Sequence, residues 1–136
     1  ADAKPAPPSA ASSSAVARAR SPQTFIWLVN PRLRPLDQGT AQAVLEALNS
    51  RLTRDGWRVH ALDVYGKYIY LFADVPGDDL PAVTIAHLKT ISGEIVQARS
   101  PHMTADALWL DAYLVLMPGR DLSKEEVQRF VKFAGS

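Results

Sequence analysis

The sequence predicts an α+β fold, a ferredoxin-like βαββαβ antiparallel sheet with an additional C-terminal helix. Three observations lead there. Short runs rich in β-branched and aromatic residues alternate with stretches whose apolar residues recur at helical spacing. The breaks between them fall on Asn-Pro, Asp-Gly and Pro-Gly dipeptides, which end regular structure by fixing or freeing the backbone. With 136 residues, the chain is long enough for one sizeable core.

Taken in order, Phe25 to Val29 is a continuous apolar run stopped by Asn30-Pro31, the pattern of a buried strand. After a Pro31 to Pro35 loop, Asp37 is placed to cap a helix with apolar face Ala41, Val44, Leu45, Leu48 and Leu52. Asp55-Gly56 ends it. Trp57 to Val64 alternates Trp57, Val59 and Ala61 with Arg58, His60 and Leu62, as a half-buried strand does. Gly66-Lys67 turns the chain into Tyr68 to Ala73, a strand by alternation and by β-propensity, so the two form a hairpin. Pro76 to Asp79 breaks the chain, and Pro81 suits the first turn of a second helix striped by Leu88, Ile91 and Ile95. A loop around Ser100-Pro101 leads to a strand from Leu108 to Met117, closed by Pro118-Gly119. Ser123 to Glu126 reads as a capping box opening a last helix, with Val127, Phe130, Val131 and Ala134 on one face.

The first 24 residues differ in kind. Ala, Pro and Ser supply 17 of them, and such a stretch cannot bury enough apolar surface to offset its ordering entropy. The expected organisation is therefore a disordered basic arm over 1–24 and one α+β domain over 25–136. Lys4, Arg18 and Arg20 against Asp2 give the arm +2, leaving the domain at −1 in a chain of net charge +1. That excludes a polybasic protein that binds nucleic acid by bulk charge, so phosphate contacts require local placement. The arm's Arg-bearing, Ser-rich and acid-poor character also fits an organelle-targeting segment. Zero cysteines exclude a disulfide scaffold, a Cys-ligated zinc and a thiol nucleophile. The longest apolar runs fall far short of the ~20 residues of a membrane helix, and no membrane partner is expected.

Most catalytic signatures are missing: no Gly-rich phosphate loop, HExxH, GxSxG or EF-hand spacing occurs. His60, His87 and His102 lie on different elements, unlike metal pairs that share an element at fixed spacing, and no metal site is assigned to them. Asp78-Asp79 sits in a Pro-Gly turn beside a helix start, where acids are expected for turn and dipole reasons alone. More informative is Tyr68-Ile69-Tyr70-Leu71-Phe72. Period two places Tyr68, Tyr70 and Phe72 on one face and Ile69 and Leu71 on the other. The aliphatic face suits the helices. The aromatic face either stacks unpaired bases, with Lys67 beside it for a phosphate, or packs under the last helix near Phe130 or across a dimer.

From Phe25 to its end, the chain resembles the single-tyrosine HUH transposases of insertion sequences and REP-associated elements. Asp63 to Phe72 stands where that family has a segment like E-V-M-P-D-H-V-H-L-L, Leu88-Lys89-Thr90-Ile91-Ser92 matches L-K-G-x-S, and Leu108-Trp109 with Tyr113 matches L-W-x-x-x-Y. Ser123 to Ala134 corresponds to the helix that carries the nucleophile. The resemblance implies that the two metal-binding histidines fall on Tyr68 and Tyr70, the nucleophilic tyrosine on Phe130, and the helix glutamine of the metal site on Ala134. Phenylalanine has no oxygen to attack phosphorus, and neutral phenols are poor ligands for Mg²⁺. It therefore implies a pseudo-enzyme without a metal cofactor.

Two functional classes follow. The first is a catalytically inactive transposase-like protein that binds structured single-stranded DNA or RNA hairpins as a homodimer joined through strand edges. Arg32, Arg34, Lys67, Tyr68, Tyr70 and Lys89 are its candidate nucleic-acid contacts, and its expected location is cytoplasmic, nucleoid- or RNP-associated. The second is a structural subunit that uses the fold and the arm to join a larger assembly, a reading that the domain's −1 favours.

Overall fold

The computed structural model describes residues 20–103 and 105–135. The expected arm over 1–24 falls largely outside the described residues, but its last residues do not. The first strand, β1, spans Ser21–Val29, four residues earlier than the apolar run suggests. Ser21 to Thr24 pair with Val75 to Phe72 of β3 (Tyr68–Val75), and Gln23 and Thr24 are buried. Polar residues hide this part of the strand from a hydrophobicity reading. What holds it is a distant segment: the Thr24 hydroxyl donates to the Arg120 carbonyl at 2.5 Å and accepts from the Arg120 N–H at 2.9 Å. Gly119 makes that approach possible, because a Cβ there would fall 2.5 Å from the Thr24 nitrogen.

Helix α1 (Gln38–Arg54) is capped by Asp37, whose carboxylate accepts the Thr40 N–H at 2.7 Å. Strand β2 is Arg58–Val64, followed by β3, then helix α2 (Pro81–Arg99) with Pro81 at its first turn. A single helical turn, α3 (Ala105–Leu108), occupies the start of what the sequence reads as a strand, so β4 is Trp109–Leu116. Helix α4 (Lys124–Ala134) opens with the expected Ser123–Glu126 capping box. The sheet order is β2-β3-β1-β4 with every pair antiparallel, as the ferredoxin-like plan requires.

Period two divides β1 and β3 between two cores. Phe25, Trp27, Val29, Ile69, Leu71 and Ala73 face α1 and α2, where Val44, Leu48, Leu52, Leu88 and Val96 complete the main cluster. Each such aliphatic or aromatic side chain contributes roughly 1.5–3 kcal/mol by burial. Ile26, Leu28, Tyr68 and Tyr70 face the other way and meet Val127, Phe130, Val131 and Ala134 of α4. The simple alternation expected of β2 is broken. Val59 opposes Ala73 but Ala61 opposes Phe72, so the register shifts at His60. Val59, Leu62 and Val64 then join the helix-side core while Ala61 meets the α4 side.

Candidate nucleic-acid interface

Tyr68 and Tyr70 lie on the face away from α1 and α2, as period two demands, yet they are only 6% and 4% exposed. Helix α4 covers them because its amphipathic face meets an otherwise open apolar sheet face. Of the arrangements the sequence leaves open for this aromatic face, the structure shows packing under the last helix near Phe130, so the assignment of Tyr68 and Tyr70 as base contacts is corrected: with both rings buried, neither offers a face to a base. Their hydroxyls are also engaged. Tyr68 accepts from the Gln128 amide at 2.8 Å. Tyr70 donates to the Asp121 carboxylate and accepts from the Leu122 N–H at 2.8 Å. Burial raises both phenols above their ordinary range, reinforced at Tyr68 by neighbouring Tyr65 and at Tyr70 by the hydrogen bond to Asp121. Gln128 and Asp121 escaped the sequence reading, since nothing in local spacing links them to a strand some 50 to 60 residues earlier.

Phe130 and Ala134 pack against this same cluster. The positions at which the resemblance places a metal site hold two phenols bonded to protein groups and a methyl, and the nucleophile position holds a phenyl ring. Among the described residues no group of three or more His, Cys, Asp or Glu is placed to hold a metal ion. The donor set does not suit a divalent cation. His60 instead pairs with Asp74 at 3.1 Å and packs on the Phe72 ring.

The cations tell a different story. The fold brings the ends of β1, β2, α2 and α4 and the starts of α1, β3 and β4 to one end of the molecule. Arg32 and Arg34 stand there on the loop after β1, Lys67 on the β2–β3 turn, and Arg99 at the close of α2. These loops are tied together. Asn30 donates from its N–H to the Leu108 carbonyl at 2.7 Å and from its side chain to the Ala107 carbonyl at 3.0 Å. Its side-chain oxygen accepts the Arg32 N–H at 3.0 Å, which fixes the start of the basic loop. The Leu36 N–H donates to the Gly66 carbonyl at 2.8 Å, and a Cβ on Gly66 would press on Pro35 and Leu36 at 3.0 Å. Asn30 reads in sequence only as a strand stop. Its role becomes visible once the turn at Ala107 is beside it.

Asp37, the N-cap of α1, is held below its usual range first by the Thr40 hydrogen bond and further by Arg99. The opposite end mixes both signs: Asp55, Asp74, Asp78, Asp79, Asp121, Glu125 and Glu126 sit at element ends beside Arg51, Arg54, Arg58, Arg120 and Lys124, with Arg51–Asp55 and Arg120–Glu126 paired.

Lys89 does not join the basic end. Its ammonium donates to the Leu110 carbonyl at 2.9 Å and lies 5.5 Å from the centre of the Tyr113 ring. Desolvation lowers its pKa, consistent with a half-buried group serving α2–β4 packing. Ser92 of the same segment is also structural, accepting the Trp27 indole N–H at 3.2 Å and donating to the Leu88 carbonyl at 2.6 Å.

Two clefts flank the basic loop, with Leu33 and Pro35 on the wall of each. One, about 450 Å³, opens beside Tyr68 and carries Lys67 and Lys132. The other, about 630 Å³, carries Arg32, Arg34 and His102. Among the described residues no helix is long and apolar enough to cross a membrane.

Comparison with curated protein sequences gives no match. A crystal structure described as a transposase from Deinococcus radiodurans R1 superposes with a TM-score of 0.67 at 20% identity, over 85% of this chain and 91% of that one. The structure of a REP-associated tyrosine transposase bound to a REP hairpin gives a TM-score of 0.53 at 11% identity, over 84% of this chain. This chain spans 64% of that protein's length. At such identities the two likenesses speak for the fold. The sequence profile of the family "Transposase IS200 like" matches residues 21–133, from the first residue of β1 to the last turn of α4. The chain belongs to the IS200-like transposase family.

Proposed function

We propose that this chain is a transposase-like protein that holds structured single-stranded nucleic acid, DNA or RNA hairpins, as a dimer and without cutting it. The observation that carries the reading is the gathering of Arg32, Arg34, Lys67 and Arg99 at one end of a domain whose total charge would not attract phosphates. The family relative with a bound REP hairpin supports the substrate class. The phenols of Tyr68 and Tyr70 and the ring of Phe130 support the loss of cutting, since attack on phosphorus needs an oxygen nucleophile and a cation on the phosphate. The edge strand β4 supports a dimer joined by strand addition, because one side of its backbone is left unpaired in the sheet. A cytoplasmic, nucleoid- or RNP-associated location follows from such a partner.

An electrophoretic shift assay with DNA and RNA hairpins across several salt concentrations tests binding. The expected result is affinity that falls linearly on a log–log salt plot, with Arg32→Ala and Arg34→Ala each reducing the slope by about 0.9 for a duplex stem. Absence of a shift at low salt removes the reading. Nicking of the hairpin by the unaltered chain in Mg²⁺ or Mn²⁺ removes the non-cutting part of it. A second reading, a subunit of a larger protein assembly, is favoured by Phe133, 81% exposed on the outer side of α4. It predicts no hairpin shift and a stable complex with a protein partner that Phe133→Ser weakens.

A further inference from the structure

The end of the molecule away from the basic loops carries a small surface that the hairpin reading does not use. Leu80, the N-cap of α2, and Val83 in its first turn are 72% and 53% exposed, and no side chain caps the helix. Asp78 and Asp79 precede them, both exposed. The neighbouring acids Asp55, Asp74 and Glu126 pair with Arg51, His60 and Arg120, whereas Asp78 and Asp79 have no ion pair among the described residues. Two aliphatic side chains beside two unpaired carboxylates repel a phosphate. A second copy of the same surface would set carboxylates against carboxylates. The matching occupant offers an aliphatic side chain and a cation.

The chain itself brings one there. Ser21 pairs with Val75 and Pro22 with Asp74, so each step back along β1 is a step forward along β3. Carried past the end of the strand, this register sets Arg20 beside Pro76, Arg18 across from Asp78 and Val16 across from Leu80. Pro76 has no N–H to continue the ladder, and Gly77, at φ 85°, turns the loop toward α2, so only side chains can maintain the pairing beyond it. Reach is no obstacle, since Val16 lies four residues before Arg20 and an extended chain covers about 3.5 Å per residue. Val16 is the one large aliphatic residue in the first 20, and it stands next to the basic pair Arg18 and Arg20. Arg20 is half-buried, with its Nε out of water and without a hydrogen-bond partner, so packing already extends past the start of β1.

We propose that residues 16–19 dock on this surface of their own chain, Arg18 on Asp78 and Asp79 and Val16 on Leu80 and Val83. The ordered domain then begins five residues before β1. Arg18 is matched within the chain instead of being held for phosphates, and the docking stands whether or not the protein binds nucleic acid.

The test is ¹⁵N relaxation of the full chain, read as backbone order parameters. Val16 and Arg18 are expected near the rigid value of about 0.85, and a value below about 0.6 at both overturns the docking. Asp78→Lys, on an exposed loop, should lower both to the flexible range while the β1 and β3 amides keep their shifts. Arg18→Glu should do the same, and the two substitutions together should restore order by exchanging the charges. Order that survives Asp78→Lys places these residues elsewhere and overturns the assigned surface. Order lost on dilution, together with a dimer seen by sedimentation, assigns the surface to the arm of a second copy and overturns docking within one chain.

Discussion

Replacing Tyr70 by Phe keeps the ring beneath α4 and deletes one oxygen. That oxygen donates to Asp121 and accepts the Leu122 N–H at 2.8 Å, so it joins the middle of β3 to the segment that launches α4. A neutral hydrogen bond contributes about 0.5–1.5 kcal/mol net, and one to a charged group about 1.5–3. Asp121 is exposed and regains water when its partner is lost, which places its share at the low end. The expected cost of Tyr70→Phe is about 2 kcal/mol, or a fall in Tm of about 8 °C for a domain of this size. Urea denaturation followed by circular dichroism measures it, and a double-mutant cycle with Asp121→Ala isolates the coupling, expected at roughly 1 kcal/mol. The pH dependence supplies a second readout. Tyr70 keeps its proton in the folded chain above the ordinary phenol range, whereas the unfolded chain ionises near pH 10. The unfolded state therefore binds fewer protons above that pH, and stability declines from pH 10 upward. Tyr70→Phe removes that part of the alkaline decline. A variant as stable as the parent, with no coupling to Asp121, refutes the view that this hydroxyl fastens α4 to the sheet.

Gly119→Ala places a methyl 2.5 Å from the Thr24 nitrogen, so backbone must shift; a loss of several kcal/mol and faster amide exchange at Gln23 and Thr24 are expected. Glu126 bonds Arg120 and the Ser123 N–H, which hold its carboxyl down to about 2. Its contribution is present above the unfolded value of 4.5 and is lost as pH falls toward 2, so an NMR titration should show the Glu126 carboxyl moving late and Glu126→Gln should remove that transition. Tyr68→His, Tyr70→His, Phe130→Tyr and Ala134→Gln together are expected to confer Mn²⁺-dependent nicking of a hairpin substrate, with no nicking expected of the parent; a folded, inert quadruple variant counts against the assigned correspondence. Lys89→Met should change hairpin affinity less than twofold, while Asn30→Ala should weaken it several-fold by loosening the loop that carries Arg32, both read by the salt-series shift assay.

Local signals carried most of the fold. The Asp37 cap, the Pro81 start and the Ser123–Glu126 capping box are each written in a few neighbouring residues, and each stands where spacing puts it. The split of Ile69 and Leu71 from Tyr68 and Tyr70 follows from period two alone. Irregularities were not legible. The shift at His60 depends on how β2 matches β3 across the sheet, and Ser21 to Thr24 become strand only because β3 and Arg120 supply their partners.

By itself, the sequence determined the element order, the two faces of the sheet and the family resemblance, because caps, breakers and periodicity act over a few residues. Tertiary structure alone decided which candidate residues meet. It buried the tyrosine row under α4, since an apolar sheet face and an amphipathic helix both lose water by joining. It gave Lys89 to the Leu110 carbonyl and the Tyr113 ring. It drew Arg32, Arg34, Lys67 and Arg99 to one end, because antiparallel strands return distant loops to the same place. A charge of −1 spread along the domain's sequence says little about phosphates; the same charge, folded, presents a basic end.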